Sequence, residues 1–401
     1  MTRDEIKKRR YMMVFGALAI FFTGFPHVWS IYQPYVMDVA GWTEGQSSMC
    51  FYLVMCTFVL GNIIGGRIQD RYSPRIAIVV GGGIFSMGVL ISSFVIGPSI
   101  VPMYISYGVM QGIGQGMIYT TIISTAQKWF PNKLGFASGV VVTANGLCGL
   151  FLAPLSRYLL EKGGPQLALC VIGVAITLSW IFISIFFSLP NEITNENPSV
   201  DNEDVTAHSG YTSHEMIKTK KYYYLVATML FGLMAYLLMS PYSQLYQTSV
   251  GVPSTIAVSA VMAGSVVNAM TRLTLPTLAD KVGRVICVQW TLIVCAITMY
   301  VLAFAQSWGV TITIIIIYGC YGGIMGSFPS LTSSIFGMKY SGENYGYVMF
   351  GLVLATLGAP IIRGFVDRIG GTMNIVFLIG GCCSIIALIF VLLLKKEMKN
   401  S

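Results

Sequence analysis

An arginine inside an apolar stretch is the residue of this sequence with the clearest chemical use. Arg272 lies eight residues before Asp280, and a rise of about 1.5 Å per residue places it roughly 12 Å along a helix. An arginine at this depth costs about 2.5–3.5 kcal/mol to insert into a bilayer, and its guanidinium matches a carboxylate with two parallel hydrogen bonds. Arg272 therefore predicts a binding site for a small organic anion. The alternative is an arginine bonded to backbone carbonyls or to a helix C-terminus.

The acidic residues are placed so that none of them is expected to neutralise this arginine. All 16 Asp and Glu residues fall at a terminus, in a loop or at the end of an apolar stretch. Because a buried charge without a partner is costly, Arg272 should face an interior cavity. The same distribution argues against an exporter of drugs or cations, which would need a buried carboxylate.

A proline and a histidine interrupt the first apolar stretch. Pro26 removes a backbone hydrogen bond and bends a helix, which suits a helix that lines a cavity. His27 follows directly and can donate a hydrogen bond to an anion or carry a proton near neutral pH. We expect His27 to bind substrate; a histidine satisfied by a protein neighbour is the alternative.

Two further arginines lie towards the far ends of their helices. Arg157 and Arg363 stand roughly 33 and 28 Å from the helix starts, at the outer boundary of a ~30 Å hydrocarbon core. Their matching positions predict an outer gate in which they pair with Glu161 and Asp367. Arginines at this depth can instead extend their side chains to the membrane surface.

The composition requires membrane-spanning helices to carry these residues. Hydrophobic residues make up 55% of the 401 and charged residues 10%, against roughly 25% charged residues in soluble domains. A soluble enzyme, a disordered chain and a secreted disulfide scaffold are therefore excluded. The nine cysteines lie in apolar stretches without CxxC spacing, and no HExxH or GxxxxGK[ST] motif occurs. We expect no metal, no cofactor and no enzymatic activity.

Apolar stretches of about 20 residues predict an all-α membrane protein with twelve transmembrane helices. Loops on one side hold 19 Lys and Arg residues and loops on the other side hold two, so both termini are expected to be cytoplasmic. This predicts a multi-pass protein of the cell membrane, the inner membrane of a bacterium. The net charge of +8 then follows from topology and not from binding of nucleic acid. The predicted spans are 11–36, 46–66, 76–97, 101–127, 135–160, 166–189, 222–247, 254–279, 285–306, 309–336, 344–366 and 372–394.

The two halves of the chain repeat each other in the same orientation. APLSRYLLEK (153–162) matches APIIRGFVDR (359–368) at an offset of 206 residues, and a polar stretch separates the halves. DRYSPR, which begins at Asp70, has its counterpart in DKVGR, which begins at Asp280. The predicted units are a six-helix bundle at 1–190, a cytoplasmic linker at 191–221 and a second six-helix bundle at 222–401.

Two parallel six-helix halves resemble the major facilitator superfamily, whose substrate site lies near the membrane midplane between the halves. GGRIQDRYSPR (65–75) is similar to that superfamily's loop between helices 2 and 3. The resemblance implies that Asp70 caps a helix of the other half and holds the outward-facing state, with the two following arginines as partners. A basic loop that only sets topology is the alternative. The latch residues expected from this pattern and its repeat are Asp70, Arg71, Arg75, Asp280 and Arg284.

Three segments narrow the resemblance to the oxalate:formate antiporter family. KWFPNKLGFASG (128–139), SFPSLTSSIFG (327–337) and SGENYG (341–346) carry it, and the similarity extends over all predicted helices. It implies that His27, Tyr119 and Tyr321 line a cavity beside the deep arginine. Packing in the helix core is the alternative for the two tyrosines.

Two positions depart from the relatives. The oxalate exchanger is understood to use a second cation, a lysine on helix 11, where this chain has Leu352; a single guanidinium suits a monoanion. Animal-type proton-linked monocarboxylate carriers place an Asp four residues before the arginine of helix 8. Here that residue is Asn268, which can only orient Arg272 by hydrogen bonding. Exchange, uniport and proton coupling through His27 therefore stay open.

Together these observations predict a secondary active transporter, an antiporter or a symporter, that moves small organic anions by alternating access. Monocarboxylates such as formate, lactate or pyruvate are the first expectation, with a proton or a counter-anion as the coupled partner of a monomer in the lipid bilayer. One alternative is an exchanger of oxalate or another dicarboxylate, with Arg157 or Arg363 as second cation. The other is a non-transporting membrane sensor with 190–221 as its output segment.

Overall fold

The computed structural model describes residues 3–186 and 210–399. Within these two ranges the chain forms twelve long helices, α1 to α12, several of which consist of two segments. The predicted all-α architecture is therefore confirmed. Most of the predicted linker lies outside the described residues.

The helices of the first half are α1 (Arg3–Phe22 and Trp29–Ala40), α2 (Glu44–Arg71), α3 (Pro74–Phe94), α4 (Val101–Met103, a π-helical turn Tyr104–Met110, and Gln111–Trp129), and α5 with α6 (one helical range, Leu134–Phe186). Those of the second half are α7 (Lys220–Met239 and Ser243–Ser249), α8 (Ser254–Val282), α9 (Arg284–Phe304), α10 (Trp308–Phe336), α11 (Ser341–Val348 and Phe350–Arg368) and α12 (Met373–Lys399).

Length and apolar composition identify nine membrane-spanning candidates among the described helices. One of them, Pro131–Ile185, contains both α5 and α6. The broken helix α4 and the arginine-bearing helix α8 complete the set of twelve. These are the two helices on which the sequence places Tyr119 and Arg272.

Individual residues determine where the helices of the bundle end and begin. α5 ends and α6 begins at Gly163 and Gly164, where Gly164 has φ +72° and ψ −173°, a left-handed backbone that favours glycine. Thr43 caps α2 by accepting a hydrogen bond from the backbone N–H of Gln46. Such caps satisfy N–H groups that the first helical turn leaves unpaired.

The halves meet where α2 packs against α11 and where α5 packs against α8. Gly135 of α5 makes the second contact possible, because a Cβ atom at that position would lie 1.9 Å from the carbonyl oxygen of Pro276. Each contact begins on the side of the bundle that carries Arg71, Arg75 and Lys339, which we call the basic side, and the α5–α8 contact continues to Gly146 opposite Ala269.

The end of the segment between the halves is attached to the basic side. A short helix, Ser213–Ile217, starts with a capping box in which Thr212 and Glu215 bond each other's backbone N–H, and these hydrogen bonds lower the pKa of Glu215. The Tyr211 N–H donates to the Phe336 carbonyl at 2.9 Å, and the Asn344 side chain donates to the Tyr211 carbonyl at 2.9 Å. The chain therefore enters the second half along the α10–α11 corner.

Candidate functional site

Helix α1 is broken at the position that Pro26 predicts. Pro26 has no N–H, and the N–H of His27 donates to Gly24 at 3.0 Å in a 3₁₀ turn. The carbonyl of Thr23 is then left for a side chain, and Gln115 of α4 donates to it at 2.6 Å. The break directs His27 into the space between the halves, where its side chain remains exposed.

A narrow cavity of about 20 Å³ lies between the halves, which is room for about one water molecule. It contains the residues that the sequence places there: Arg272, His27, Tyr119 and Tyr321. The cavity is also lined by Met55, Phe58, Gln115 and Asn145 of the first half and by Met325 and Leu352 of the second half.

Arg272 is the one permanent charge among these cavity-lining residues. It is 3% exposed, and its hydrogen bonds go to neutral amides. Nε donates to Oδ1 of Asn268 at 2.8 Å, and Nη1 donates to Oδ1 of Asn145 at 2.8 Å. Across residues 3–186 and 210–399 the structure shows no ion pair of Arg272 and no hydrogen bond of its Nη2. The guanidinium is thus oriented by the protein without being neutralised by it.

Asn145 connects this guanidinium to the break in α1. Its side-chain nitrogen donates to the hydroxyl of Thr23 at 3.0 Å, and that hydroxyl donates to the carbonyl of Ile20 at 2.6 Å. A hydrogen-bonded chain therefore runs from α8 of the second half through α5 to α1 of the first half.

Aromatic rings enclose the guanidinium. Its Cζ lies 5.7 Å from the ring centroid of Tyr321, within the range of a cation–π contact, and that ring stacks on Tyr236 at 3.9 Å. Tyr119 packs edge-on against Phe58 with ring centroids 5.2 Å apart. Tyr321, Tyr119 and Phe58 form part of the cavity wall and leave a compact site beside the charge.

On the basic side, Asp70 bonds to the first turn of α11. Its Oδ2 accepts from the backbone N–H of Glu343 at 3.0 Å, and its Oδ1 accepts from Lys128 at 2.9 Å and from Gln69 at 3.0 Å. The side chain of Asp70 is fully buried, and that of Lys128 is 7% exposed. We call Asp70, Lys128 and the first turn of α11 the α11 latch.

Asp280 makes the equivalent contact in the other direction. Its two oxygens accept from the backbone N–H groups of Gly135 at 3.0 Å and Phe136 at 2.9 Å, at the start of α5. Arg284 donates to the same carboxylate at 2.9 Å. We call this set the α5 latch. Each aspartate therefore bonds to the helix start of the opposite half, and both sets of contacts lie on the basic side.

The expected arginine partners of Asp70 are corrected by these contacts. Arg71 and Arg75 are exposed, and Lys128 of α4 pairs with Asp70 in their place. Arg71 follows Asp70 directly on α2 and so points about 100° away around the helix. A further ion pair, Arg67 with Glu343 at 3.4 Å, borders the α11 latch.

Arg157 and Arg363 pair with the acids one helical turn later and do not line the cavity. Arg157 Nε lies 3.0 Å from Glu161, with the arginine side chain 74% exposed. Arg363 lies 2.8 Å from Asp367, and its Cζ stands 5.1 Å from the ring centroid of Tyr242.

Sequence reasoning missed Asn145 and Gln115 in the cavity and Lys128 in the α11 latch. Asn145 stands in the apolar run VVTANGLCG, where a polar amide is a usable signal. That signal names no partner, because the contact with Arg272 joins residues 127 positions apart.

Three known proteins that are similar to this chain in sequence or in structure are all transporters. The chain is 26% identical over 385 residues to the oxalate:formate antiporter of Oxalobacter formigenes, covering 94% of this chain and 89% of that protein. It is 23% identical to the uncharacterised transporter YhjX of Escherichia coli K12, covering 89% and 88%. The proton:xylose symporter XylE matches in structure with a TM-score of 0.74 at 13% identity, covering 96% and 95%.

The family model for the Major Facilitator Superfamily matches residues 13–360. This range contains the cavity, both latches and the contacts between the halves. Members of this family are transporters and not enzymes. Because the match spans most of the 401 residues, the protein belongs to the Major Facilitator Superfamily.

Proposed function

We propose that this protein transports small organic anions, with monocarboxylates such as formate, lactate or pyruvate as its substrates. The observation that carries the proposal is the buried guanidinium of Arg272 between the two halves, which the surrounding residues orient but do not neutralise. A carboxylate supplies the missing charge and accepts N–H···O bonds from the planar fork. Amide oxygens can accept such bonds but contribute no charge.

The lining of the cavity favours a monoanion. Leu352 is 3% exposed and forms an apolar wall where the resemblance implies a lysine. Arg157 and Arg363 each pair with a carboxylate of their own helix, which argues against either as a second cation for oxalate or another dicarboxylate. The relative from Oxalobacter is named for a dicarboxylate and a monocarboxylate, so both classes belong in the test.

The two latches support alternating access. Each aspartate binds the helix start of the opposite half on the basic side, and these bonds must break when that side opens. We place the basic side in the cytoplasm, with both termini, and the protein in the cell membrane. Movement of 1–190 against 222–401 would then expose Arg272 to each side in turn.

Counterflow into proteoliposomes tests this function. Vesicles loaded with unlabelled formate, lactate, pyruvate or oxalate are diluted into the corresponding radiolabelled anion, and uptake above that of protein-free vesicles with the same load is measured. We expect saturable counterflow of at least one monocarboxylate. Replacing Arg272→Ala removes one partner of a charge-assisted pair, worth about 2–5 kcal/mol, and should lower counterflow by about 30-fold or more.

The matched control is Arg368→Ala, which removes an exposed arginine of α11 outside the cavity and should leave counterflow unchanged. Counterflow of oxalate alone would replace the monocarboxylate assignment by the dicarboxylate one. Absence of counterflow with all four anions, or full activity of Arg272→Ala, would contradict the proposed function. A non-transporting sensor would give the first of these results.

A further inference from the structure

The guanidinium of Arg272 has one hydrogen-bond partner in each half of the protein. Asn268 lies on the same helix, α8, and moves together with Arg272. Asn145 lies on α5 of the first half and reaches Nη1 across the interface at 2.8 Å. Among the residues that the structure describes, this is the one side-chain hydrogen bond from Arg272 to the first half.

When a transporter changes its orientation without cargo, its two halves must bury the guanidinium of Arg272 with no counter-anion. Removing a charge from water is costly unless hydrogen bonds compensate it. In a strict exchanger this cost prevents the empty protein from changing its orientation, so that outward movement of one anion requires inward movement of another. A neutral acceptor from the opposite half lowers the cost, because hydrogen bonds to charged groups are stronger than neutral ones.

The amide of Asn145 is fixed in the orientation that this role needs. Its nitrogen donates to Thr23 Oγ1 at 3.0 Å, and that hydroxyl donates its own hydrogen to the carbonyl of Ile20 at 2.6 Å. The Thr23 oxygen can therefore only accept from Asn145, and the amide oxygen must point to Arg272. Asn145 is 5% exposed, so its amide is almost wholly shielded from bulk solvent.

We propose that Asn145 is a positioning residue that substitutes for the cargo carboxylate when the cavity is empty. It allows the two halves to close on Arg272 without an anion, and the protein therefore carries out net transport in addition to exchange. The inference rests on the proposed function, because it concerns the same guanidinium. Asn145 acts on Arg272 and not on the cargo.

The test compares two rates in the same proteoliposomes. Exchange is radiolabel uptake into vesicles loaded with the unlabelled anion, and net transport is uptake into vesicles without it. The empty protein changes orientation only during net transport. For Asn145→Ala we expect the ratio of net transport to exchange to fall about tenfold or more, equivalent to about 1.4 kcal/mol. The exchange rate itself should fall by a smaller factor than this ratio.

The matched control is Asn268→Ala, which removes the other amide from the same guanidinium but within one half. It should lower both rates together and leave their ratio unchanged. A second variant, Thr23→Val, releases the amide of Asn145 and should shift the ratio in the same direction by a smaller factor. If Asn145→Ala does not elute as a single folded species, Asn145→Ser is used in its place.

An unchanged ratio in the Asn145 variant, or an equal shift in Asn268→Ala, would overturn the inference while the proposed function stands. A wild-type protein that exchanges anions but shows no net transport would overturn it as well. A wild-type protein without counterflow of any carboxylate would remove the proposed function, and this inference with it.

Discussion

Arg272 shows how hydrogen bonding and neutralisation of a charge are separate requirements. Two amide oxygens hold the guanidinium at 2.8 Å, which fixes its direction towards the cavity. The desolvation of a buried charge still favours an anion beside it. The sequence located this residue because an arginine in an apolar run is rare. It did not show that the protein itself supplies acceptors from both halves.

The α11 latch is a second place where single residues control the structure. Replacing Asp70→Asn keeps an oxygen for the N–H of Glu343 but removes the charge opposite Lys128, which is 7% exposed. Breaking a buried ion pair by removing one partner costs about 3–5 kcal/mol, so the closed basic side should be weakened. We expect faster hydrogen–deuterium exchange of the backbone amides in 341–348.

Two further variants test this explanation. Asp38→Asn removes an exposed carboxylate and should leave exchange in 341–348 unaltered. Asp70→Asn combined with Lys128→Met removes both charges and should recover part of the protection. Equal protection in Asp70→Asn and the wild type would show that the ion pair does not hold α11.

At the scale of helices, the approach of α5 to α8 depends on the absence of a side chain. A Cβ atom at Gly135 would lie 1.9 Å from the carbonyl oxygen of Pro276 and 2.9 Å from a carboxylate oxygen of Asp280. Gly135→Ala should therefore force the two backbones apart and disturb the α5 latch. We expect transport to fall about tenfold or more, since overpacking costs about 1–3 kcal/mol.

Gly149→Ala is the control on the same helix, because a Cβ atom there meets no atom within 4 Å. Alanine is the better helix former by about 1 kcal/mol, so the melting temperature of this variant should match or exceed that of the wild type. Its transport rate should be unchanged. If both glycine variants transported equally well, close contact between α5 and α8 would not be required.

Helix positions followed from the sequence more completely than contacts between helices. Apolar runs predicted the twelve long helices of the described ranges, and Pro26 indicated the break in α1, because both effects are local. The π-helical turn of α4 had no recognised signal. The contact of Asn145 with Arg272 and that of Lys128 with Asp70 depend on how separate helices are aligned, which periodicity does not determine.

At the scale of the whole molecule, the internal repeat produces two equivalent contacts between the halves. Asp70 of the first half binds the start of α11, and Asp280 of the second half binds the start of α5. Each half thus supplies one carboxylate and one helix start, whose unpaired N–H groups and positive dipole end favour an anion. Movement of one half against the other must break both sets of bonds together.

The seam between the halves on the basic side offers a direct test of this closed arrangement. The hydroxyl oxygens of Ser124 on α4 and Ser341 on α11 lie 2.6 Å apart, so cysteines at both positions are close enough for a disulfide. We expect the double variant Ser124→Cys with Ser341→Cys to crosslink under mild oxidation. Transport should then stop, because the basic side cannot open, and return when the bond is reduced.

The single variants Ser124→Cys and Ser341→Cys provide the control for the native cysteines and should keep their transport under the same oxidation. Adding a transported anion should slow crosslinking of the double variant, because each cycle separates α4 from α11. A double variant that crosslinks fully and still transports would mean that the halves do not part along this seam. Access to Arg272 from the basic side would then need a path that leaves both latches intact.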